Sequence, residues 1–446
     1  MRLFIYFLSK TLTVSIQSTQ LSLLFSAPSR QFCAVRAVQA KAKLCLLKGR
    51  KMGVCFSGLV LFITFNLSTL LAIAKPFIPH NDSQVLERLS SGPGKPLLNE
   101  ARKLRDNLNK DPNNLQLALK TAKHFIEIGR QEADPRYFGY AESALKPFLN
   151  GEPTSPDILV IKATIHQYNH DFDGALEDLN KALKLDPSNV QAWLTQALIL
   201  QTQGNYKEAK NSCAHLIRLT NELVSAGCLS SISSLNGQAS KSYGLLNQVL
   251  SHTNTDELYK NERLWTLTLL GEIGKRLGDY KNSEQYFKNA LEVSPNDNYL
   301  LATYVDFLLL QKRYTEVISL LKGKTKIDNL LLRLALAEQV IKSNSLASHI
   351  NELDLRFRAT KLRNDTANIH LREEAIFKLK LQSNPTIALA LAKRNWEVQK
   401  EPLDAQIFLE CALALNDKSS TKPVLEFIKN NMLEDKQLND LVKRLK

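Results

Sequence analysis

The sequence predicts an all-α protein, an array of stacked helical hairpins behind an N-terminal leader. Glycine accounts for 17 of 446 residues, below the roughly 7% usual in proteins, and the alternating apolar and polar runs of strands are scarce. From about Leu97 onward, apolar residues recur at spacings of three and four, in blocks separated by Gly, Asn, Asp or Pro. That pattern is typical of amphipathic helices joined by short turns.

Residues 52–74 have the features of a secretory signal peptide. A basic cluster at 48–51 precedes an uncharged run over 54–73, which ends in small residues. Cleavage after Ala74 would leave a periplasmic or secreted protein. An uncleaved inner-membrane anchor stays open, because about 20 apolar residues can span a bilayer. Only in that case do we expect contact with a membrane.

Residues 1–51 are basic, poor in acids and rich in hydroxyl groups. Because a complete leader begins at Met52, the simplest interpretation is that translation starts there and that 1–51 is a non-native extension without a fold. An organellar transit peptide is the alternative. Residues 75–94 are interpreted as a linker.

The basic charge of the chain is concentrated in the leader. The formal net charge is +14, but residues 1–74 hold nine Lys or Arg and no Asp or Glu. Residues 75–446 therefore carry 49 basic and 44 acidic side chains, a charge of +5. Both signs are interspersed there, which argues against a nucleic-acid surface.

The segment from 95 to 331 contains four copies of one pattern: a helix, a break and a second helix. The copies cover 156–189, 190–223, 264–297 and 298–331, a period of 34 residues. Such a period is typical of helical repeat arrays, in which each hairpin covers an apolar face of the next. We interpret residues 332–446 as degenerate hairpins of the same kind, ending in a capping helix.

Particular residue types recur at fixed places in these copies. Small residues stand where the two helices of a hairpin approach most closely, because only small side chains let the backbones pack there. Proline follows the second helix because it cannot continue it. The defining residues are Ala163, Ala175, Pro187, Trp193, Ala197, Gly204, Tyr206, Ala209, Gly271, Gly278, Tyr280, Ala290 and Pro295. This pattern resembles the tetratricopeptide repeat (TPR) family, and the resemblance implies a right-handed α-α superhelix.

The TPR resemblance also implies a concave groove, lined by the first helix of each hairpin, that binds a partner protein or peptide. The corresponding residues are Val160, Thr164, Gln167, Leu194, Leu198, Gln201, Thr268, Glu272, Lys275, Ala302, Asp306 and Leu309. Leu194, Leu198 and Leu309 are apolar, and an exposed apolar cluster often marks a binding site. The alternative is that neighbouring helices or the C-terminal cap cover them.

The sequence lacks the motifs of common enzyme classes. It has no Gly-x-Ser-x-Gly and no phosphate-binding loop. His166 and His170 are one helical turn apart, but we interpret them as an interior histidine and a turn histidine, since His166 falls in an interior-facing position of the hairpin and no Glu lies between the pair. We therefore expect neither catalysis nor a metal or cofactor.

Two functions remain open. The first is a non-catalytic scaffold or adaptor of the cell envelope that binds partner segments in the groove. The second is a helical-repeat solenoid that binds a nucleic acid or another acidic ligand in an organelle. The small charge after the leader and the leader itself favour the first.

The repeat frame places Cys213 on the second helix of one hairpin and Cys228 on the first helix of the next. A short turn joins these neighbours, so the Cα separation is expected to fall within the ~4.4–6.8 Å that a disulfide requires. We predict this bridge, with Cys411 left free. The alternative is two buried free cysteines.

Overall fold

The computed structural model describes Asn81 and residues 96–149, 155–253, 257–361 and 370–445. These segments are helical throughout and contain no β-strand, which confirms the all-α prediction. Residues 1–51 and 52–74, and nearly all of the linker predicted at 75–94, lie outside the described residues. Among the described helices, none is long and apolar enough to span a bilayer.

Nine helices form the N-terminal half of the array. They are α1 (Pro96–Lys110), α2 (Leu115–Glu132), α3 (Arg136–Leu145), α4 (Pro156–Tyr168), α5 (Phe172–Leu185), α6 (Val190–Thr202), α7 (Tyr206–Leu216), α8 (Glu222–Ser233) and α9 (Ala239–His252). Each even-numbered helix from α2 to α8 pairs with the helix that follows it.

The second half continues the same alternation. It consists of α10 (Lys260–Leu277), α11 (Tyr280–Val293), α12 (Asn298–Leu310), α13 (Tyr314–Leu321), α14 (Asp328–Ile341), α15 (Leu346–Lys361), α16 (Leu371–Ile376), α17 (Pro385–Val398), α18 (Pro402–Ala414), α19 (Lys422–Asn430) and α20 (Lys436–Leu445). A π-helical turn at Phe377–Leu381 extends α16.

Short polar side chains fix where many of these helices begin. The Asp171 carboxylate accepts a hydrogen bond from the Gly174 N–H at the start of α5, and Asp297 accepts one from the Leu300 N–H at the start of α12. Such caps satisfy backbone donors that have no partner inside the helix. Asn114, Asn189, Asn221 and Asp279 cap α2, α6, α8 and α11 in the same way.

The small residues of the repeat pattern lie at the contacts between paired helices. The fully buried ones are Ala163, Ala175, Ala197, Ala209 and Ala290. At Gly271 a β-carbon would lie 2.5 Å from the Phe287 ring, so glycine is required for this approach. Pro187 and Pro295 follow the ends of α5 and α11. The helices therefore pack as the sequence pattern indicated.

The aromatic and turn residues of the pattern take two kinds of position. Tyr206 is buried beneath its turn, whereas Tyr280 is half-buried. Gly204 and Gly278 hold the turns with φ of 81° and 83°, a conformation that favours glycine. Trp193 stacks on His215 with 3.8 Å between ring centroids. These contacts fix the direction in which the chain enters and leaves these hairpins.

A disulfide joins α7 to α8. Cys213 and Cys228 are both fully buried, their Cα atoms are 5.6 Å apart, and their sulfur atoms are bonded. Cys411 is a buried free thiol in α18. The bridge links the well-matched repeat at 190–223 to the shorter hairpin that follows it.

The array curls until distant hairpins meet. The Asn298 side chain donates hydrogen bonds to the carbonyls of Arg130 and Gln131, at 3.2 and 3.0 Å. Farther along, the Lys400 N–H donates to the Thr202 carbonyl at 2.7 Å. The inner helices of the superhelix therefore surround a central space.

Candidate functional site

The central space is a cavity of about 810 Å³. Its walls come from the first helix of successive hairpins, including α4, α6, α8, α10, α12, α14, α16 and α18. Asp435 and Gln437, at the start of α20, complete the lining. Because the first helices stack side by side around the curl, their inner faces converge on one site.

Most residues expected in the groove line this cavity. Those that do so are Thr164, Gln167, Gln201, Glu272, Lys275, Ala302, Asp306 and Leu309. The other four are buried within the array and do not reach the cavity: Val160, Leu194, Leu198 and Thr268. The hydroxyl of Thr268 donates to the Leu264 carbonyl within its own helix.

Leu194 and Leu198 illustrate why the groove was only partly predictable. They are 1% and 6% exposed and belong to the main hydrophobic core. The sequence left open whether these leucines form an exposed binding surface or are covered by other parts of the chain. The structure shows that they are covered. Leu309 differs, because its half-buried side chain lies on the cavity wall.

One wall of the cavity is apolar. It is formed by Leu309 and Leu310 of α12, Leu336 and Val340 of α14, and Ile376 of α16. Val340 is 53% exposed, unusual for a large apolar side chain next to a core. The α14 residues are not among those expected in the groove from the sequence. Carrying the 34-residue frame one step beyond Ala302 and Asp306 reaches them.

A second part of the lining, around α10, is polar. The Tyr299 hydroxyl donates to the Glu272 carboxylate at 2.6 Å. Arg276 is buried and donates to the carbonyl and hydroxyl of Ser234 at 3.0 and 2.7 Å, and its burial lowers the pKa of the guanidinium. Lys275 forms no ion pair with any described residue. Among the described residues of this part of the lining, Lys275 is therefore a cation that a ligand could pair with, whereas Glu272, Tyr299 and Arg276 already have hydrogen-bond partners.

Two arginines stiffen the lining through ion pairs with three carboxylates. Arg333 of α14 holds Asp306 through two hydrogen bonds of 2.7 and 2.6 Å. Arg372 of α16 reaches Asp404 and Glu401, at 2.5 and 2.6 Å. Burial raises the pKa of Asp404, whereas Arg372 outweighs burial at Glu401 and holds the pKa of that carboxyl below its usual range. Sequence reasoning missed both arginines, because neither stands at a position that repeats.

The two histidines face different surroundings. His166 Nδ1 is 2.6 Å from the Asp171 carboxylate, and its Nε2 is 3.6 Å from Asp178. His170 lies on the cavity wall, with Nδ1 2.8 Å from the side-chain nitrogen of Gln399. Within the described residues, no three His, Cys, Asp or Glu side chains form a group that could hold a metal.

Comparison with known proteins identifies the repeats. Tetratricopeptide repeat models match residues 162–209 and 266–297. A TPR repeat-containing protein of Methanocaldococcus jannaschii is 28% identical over 182 residues, which is 37% of this chain and 31% of that relative. This chain therefore matches about a third of the relative's length.

Solved structures that the comparison matches to this chain include yeast Tom70 and human IFIT1. Tom70 has a TM-score of 0.37 and 12% identity, with 78% of this chain and 84% of that chain covered. The IFIT1 dimer with m7Gppp-AAAA has a TM-score of 0.40 and 14% identity, covering 75% and 86%. The two model matches and the archaeal relative agree with the 34-residue repetition of the helices, and the chain contains tetratricopeptide repeats at 162–209 and 266–297.

Proposed function

We propose that this chain is a non-catalytic TPR scaffold that binds a short segment of a partner protein in its central cavity. The observation that carries the proposal is the mixed lining, in which Leu309, Leu336 and Val340 form an apolar strip and Glu272 and Lys275 line the same cavity. An amphipathic segment presents the same two chemistries on opposite faces. It would place its apolar side chains against Val340 and Leu336 and an acidic group near Lys275.

The size of the cavity favours a peptide over a folded domain. A helix is about 10 Å across and rises 1.5 Å per residue, so 810 Å³ accommodates roughly seven residues. A pocket of this size is also typical of small ligands. The apolar wall, which extends over three hairpins, favours an extended or helical segment.

The charges of the lining argue against the nucleic-acid alternative. Among the described residues, the cavity is lined by six Arg or Lys and seven Asp or Glu side chains. Binding to a phosphate backbone requires a surplus of unpaired cations. Here Arg333 and Arg372 are already neutralised by neighbouring carboxylates.

We also propose that the scaffold works in the cell envelope. The signal-type segment at 52–74 supports this address, and so does the bond between Cys213 and Cys228, because disulfides persist in oxidising compartments. N-terminal sequencing of the protein purified from cells is expected to begin at Lys75. A native chain that begins at Met1 or Met52 would contradict cleavage.

The binding proposal is tested with a displayed library of random twelve-residue peptides. The wild-type chain is expected to enrich peptides that combine apolar and acidic residues. Val340→Lys is expected to reduce this enrichment at least tenfold, because it places a charge on the apolar wall without disturbing packed core. Circular dichroism of both proteins checks that helicity is equal.

Ile387→Lys is the matched control. Ile387 is 45% exposed on α17 and does not line the cavity. Its substitution changes the same chemistry at a similar exposure, so enrichment is expected to stay at the wild-type level. Equal loss in both variants, or no enrichment by the wild-type chain, would contradict binding in the cavity.

A further inference from the structure

Arg276, Arg333 and Arg372 are largely buried arginines of the cavity lining, and they differ in their partners. Arg333 holds the Asp306 carboxylate with two hydrogen bonds of 2.7 and 2.6 Å, and Arg372 lies 2.5 Å from the Asp404 carboxylate. Arg276 is 7% exposed, and it forms no ion pair with any residue that the structure describes. It is therefore a buried cation without a paired anion.

The Arg276 guanidinium uses only part of its hydrogen-bonding capacity. It donates to the carbonyl and to the hydroxyl of Ser234, at 3.0 and 2.7 Å. A guanidinium has five N–H donors, so three of them have no acceptor within the described part of the chain. A buried charge without a counter-ion costs free energy, and burial lowers the pKa of this guanidinium. The protein alone thus leaves Arg276 incompletely compensated.

The carboxylates that act on Arg276 through space are engaged elsewhere. Asp435 accepts hydrogen bonds from two backbone N–H groups at the start of α20, at 2.9 and 3.0 Å. Glu272 accepts from the Tyr299 hydroxyl at 2.6 Å. Both carboxylates favour the charged guanidinium, but burial outweighs them and the pKa of Arg276 stays lowered. Neither carboxylate therefore replaces a direct partner.

Two further donors near Arg276 also lack an acceptor. Lys275 precedes it in α10, lines the cavity and has no ion pair among the described residues. The Tyr206 hydroxyl is buried without a hydrogen-bond partner in the described chain, and it interacts electrostatically with the Arg276 guanidinium. Donors therefore outnumber free acceptors in this part of the lining, which fits an anionic ligand.

The surroundings of Arg276 favour a carboxylate over a phosphate. The planar guanidinium matches the two oxygens of a carboxylate. Asp435 and Glu272 reduce the positive potential around Arg276 and so favour an anion with a single charge over one with nearly two. Helix α10 also stands in the middle of the series of lining helices, from α4 to α18. A bound segment therefore passes α10 with its interior and not with its end.

We propose that Arg276 is the residue that binds an acidic side chain of the partner, the carboxylate of an internal aspartate or glutamate, with Lys275 beside it. This inference rests on the proposed binding function and names the group that recognises the acidic residue. The partner supplies the anion that the chain itself provides for Arg333 and Arg372 but not for Arg276.

The first test needs no partner and compares Arg276→Gln with Arg333→Gln by urea denaturation of the full chain. Glutamine keeps a donor for Ser234 but removes the buried charge. Arg333→Gln leaves Asp306 without its cation and is expected to lower the urea midpoint. Arg276→Gln is expected to lower it less, or to raise it, because no ion pair is broken. A loss as large as that of Arg333→Gln would overturn the proposal, since the chain itself would then compensate the Arg276 charge.

The second test uses a peptide that the wild-type chain enriches from the twelve-residue library. Replacing the acidic residue of this peptide by its amide is expected to weaken binding to the wild-type chain at least tenfold. The Arg276→Gln chain is expected to bind both peptides equally, because the interaction between the two charges is already lost. Equal discrimination by the wild type and by Arg276→Gln would overturn the assignment to Arg276.

Arg358→Gln is the matched control for both tests. It removes the same charge, but Arg358 is 74% exposed and does not line the cavity. Its discrimination between the two peptides is expected to equal that of the wild-type chain. Loss of discrimination in Arg358→Gln as well would overturn the assignment, because the effect would then come from net charge alone.

A third test decides the site even if no peptide is enriched, an outcome that would refute the binding function alone. The probe is N-acetylglutamate α-amide, which has only a side-chain carboxylate, and N-acetylglutamine amide is its neutral control at equal ionic strength. The probe is expected to raise the melting temperature of the wild-type chain by about 2 °C at ten times its dissociation constant. It is expected to leave Arg276→Gln unchanged. No rise in the wild type, or an equal rise in both chains, would overturn the site.

Two more probes test the source of the anion. N-acetylalanine offers a terminal carboxylate, and inorganic phosphate offers a nearly doubly charged anion. Both are expected to raise the melting temperature of the wild-type chain less than N-acetylglutamate α-amide does. A larger rise with either probe would overturn the choice of a side-chain carboxylate.

Discussion

The repeats at 156–331 and the C-terminal hairpins from α14 onward both bury small apolar residues, such as Ala375 and Ala412 in the latter, but the C-terminal hairpins add a larger set of ion pairs between neighbouring helices. In the first region the helices meet through small apolar residues, such as Ala163 and Ala175, both fully buried. In the second region ion pairs join neighbouring helices. These pairs are Arg333–Asp306, Arg356–Asp328, His349–Glu338, Lys361–Glu374, Arg372–Asp404 and Lys380–Glu410.

The difference teaches that a helical hairpin can combine small-residue packing with ion pairs between its helices. Close helix packing depends on small side chains that let backbones approach. Where long charged side chains lie between helices, their charged ends must be paired, because an unpaired buried charge is costly. The C-terminal hairpins therefore depend on matched partners, and loss of one partner is expected to cost more there than loss of a methyl group in the first region.

The largest expected effect follows from removing a buried cation. Arg372→Met leaves Glu401 and Asp404 without their common partner, and Asp404 is only 1% exposed. We expect the free energy of unfolding to fall by about 3–5 kcal/mol, measured by urea denaturation. Arg358→Met is the control, since Arg358 is 74% exposed in its pair with Asp354 and is expected to cost under about 1 kcal/mol. Equal costs would contradict the proposed dependence.

The disulfide lies where the well-matched pattern first breaks. Closing a loop of 15 residues between Cys213 and Cys228 is expected to stabilise the chain by roughly 3 kcal/mol in the chain-entropy model. We expect Cys213→Ala with Cys228→Ala to lose about that amount. Peptide mapping of denatured, unreduced protein is expected to find these cysteines linked and Cys411 free. Three free thiols within residues 75–446 would refute the bridge.

Cys411 is a useful internal standard for that measurement. It is buried in α18, and burial raises the pKa of its thiol to about 12. The thiolate is the reactive form of cysteine, so Cys411 is expected to react with thiol reagents only after unfolding.

A smaller effect is expected in the small-residue region. Gly271→Ala places a methyl group 2.5 Å from the fully buried Phe287 ring, which has no room to move. We expect a loss of about 1–3 kcal/mol by urea denaturation. Gly244→Ala is the matched control, because nothing lies within 4 Å of its β-carbon and alanine favours a helix. A stabilising Gly271→Ala would show that these helices are not closely packed.

The contrast between the periodic repeats and the ion pairs of the C-terminal hairpins also explains which features the sequence could predict. Helix starts such as Val190 and Asn298 coincide with the predicted copies, because small residues, caps and turns recur with a fixed period. The ion pairs of the C-terminal hairpins have no period, so Arg333 and Arg372 were missed. Burial of Leu194 was also beyond prediction, since it depends on how the array curls. The Glu434 carboxylate accepts a hydrogen bond from the Ala239 N–H at the start of α9. These residues are 195 positions apart, so no local sequence pattern indicates the contact.

The smallest expected effect on the free energy of unfolding comes from Glu262, a buried carboxylate that lacks a cationic partner. Glu262 is buried at the start of α10 and, within the described residues, forms no ion pair. Burial raises the pKa of Glu262, so the folded chain keeps this proton to a higher pH than the unfolded chain does. Stability is therefore lost as pH rises through the raised pKa. Glu262→Gln is expected to stabilise the chain at pH 7 by on the order of 1 kcal/mol, and to have no effect near pH 3.5.

Glu316 is expected to show the opposite dependence of stability on pH. Its hydrogen bonds to the Arg313 guanidinium lower the pKa of Glu316, so its contribution is present above the unfolded pKa and is lost as pH falls. Glu316→Gln is expected to destabilise slightly at pH 7 and to become neutral in acid. Urea midpoints at pH 3.5 and pH 7 decide both signs. If Glu262→Gln destabilised at pH 7, its carboxylate would be stabilised by its surroundings despite burial, and the requirement for a cationic partner would not hold.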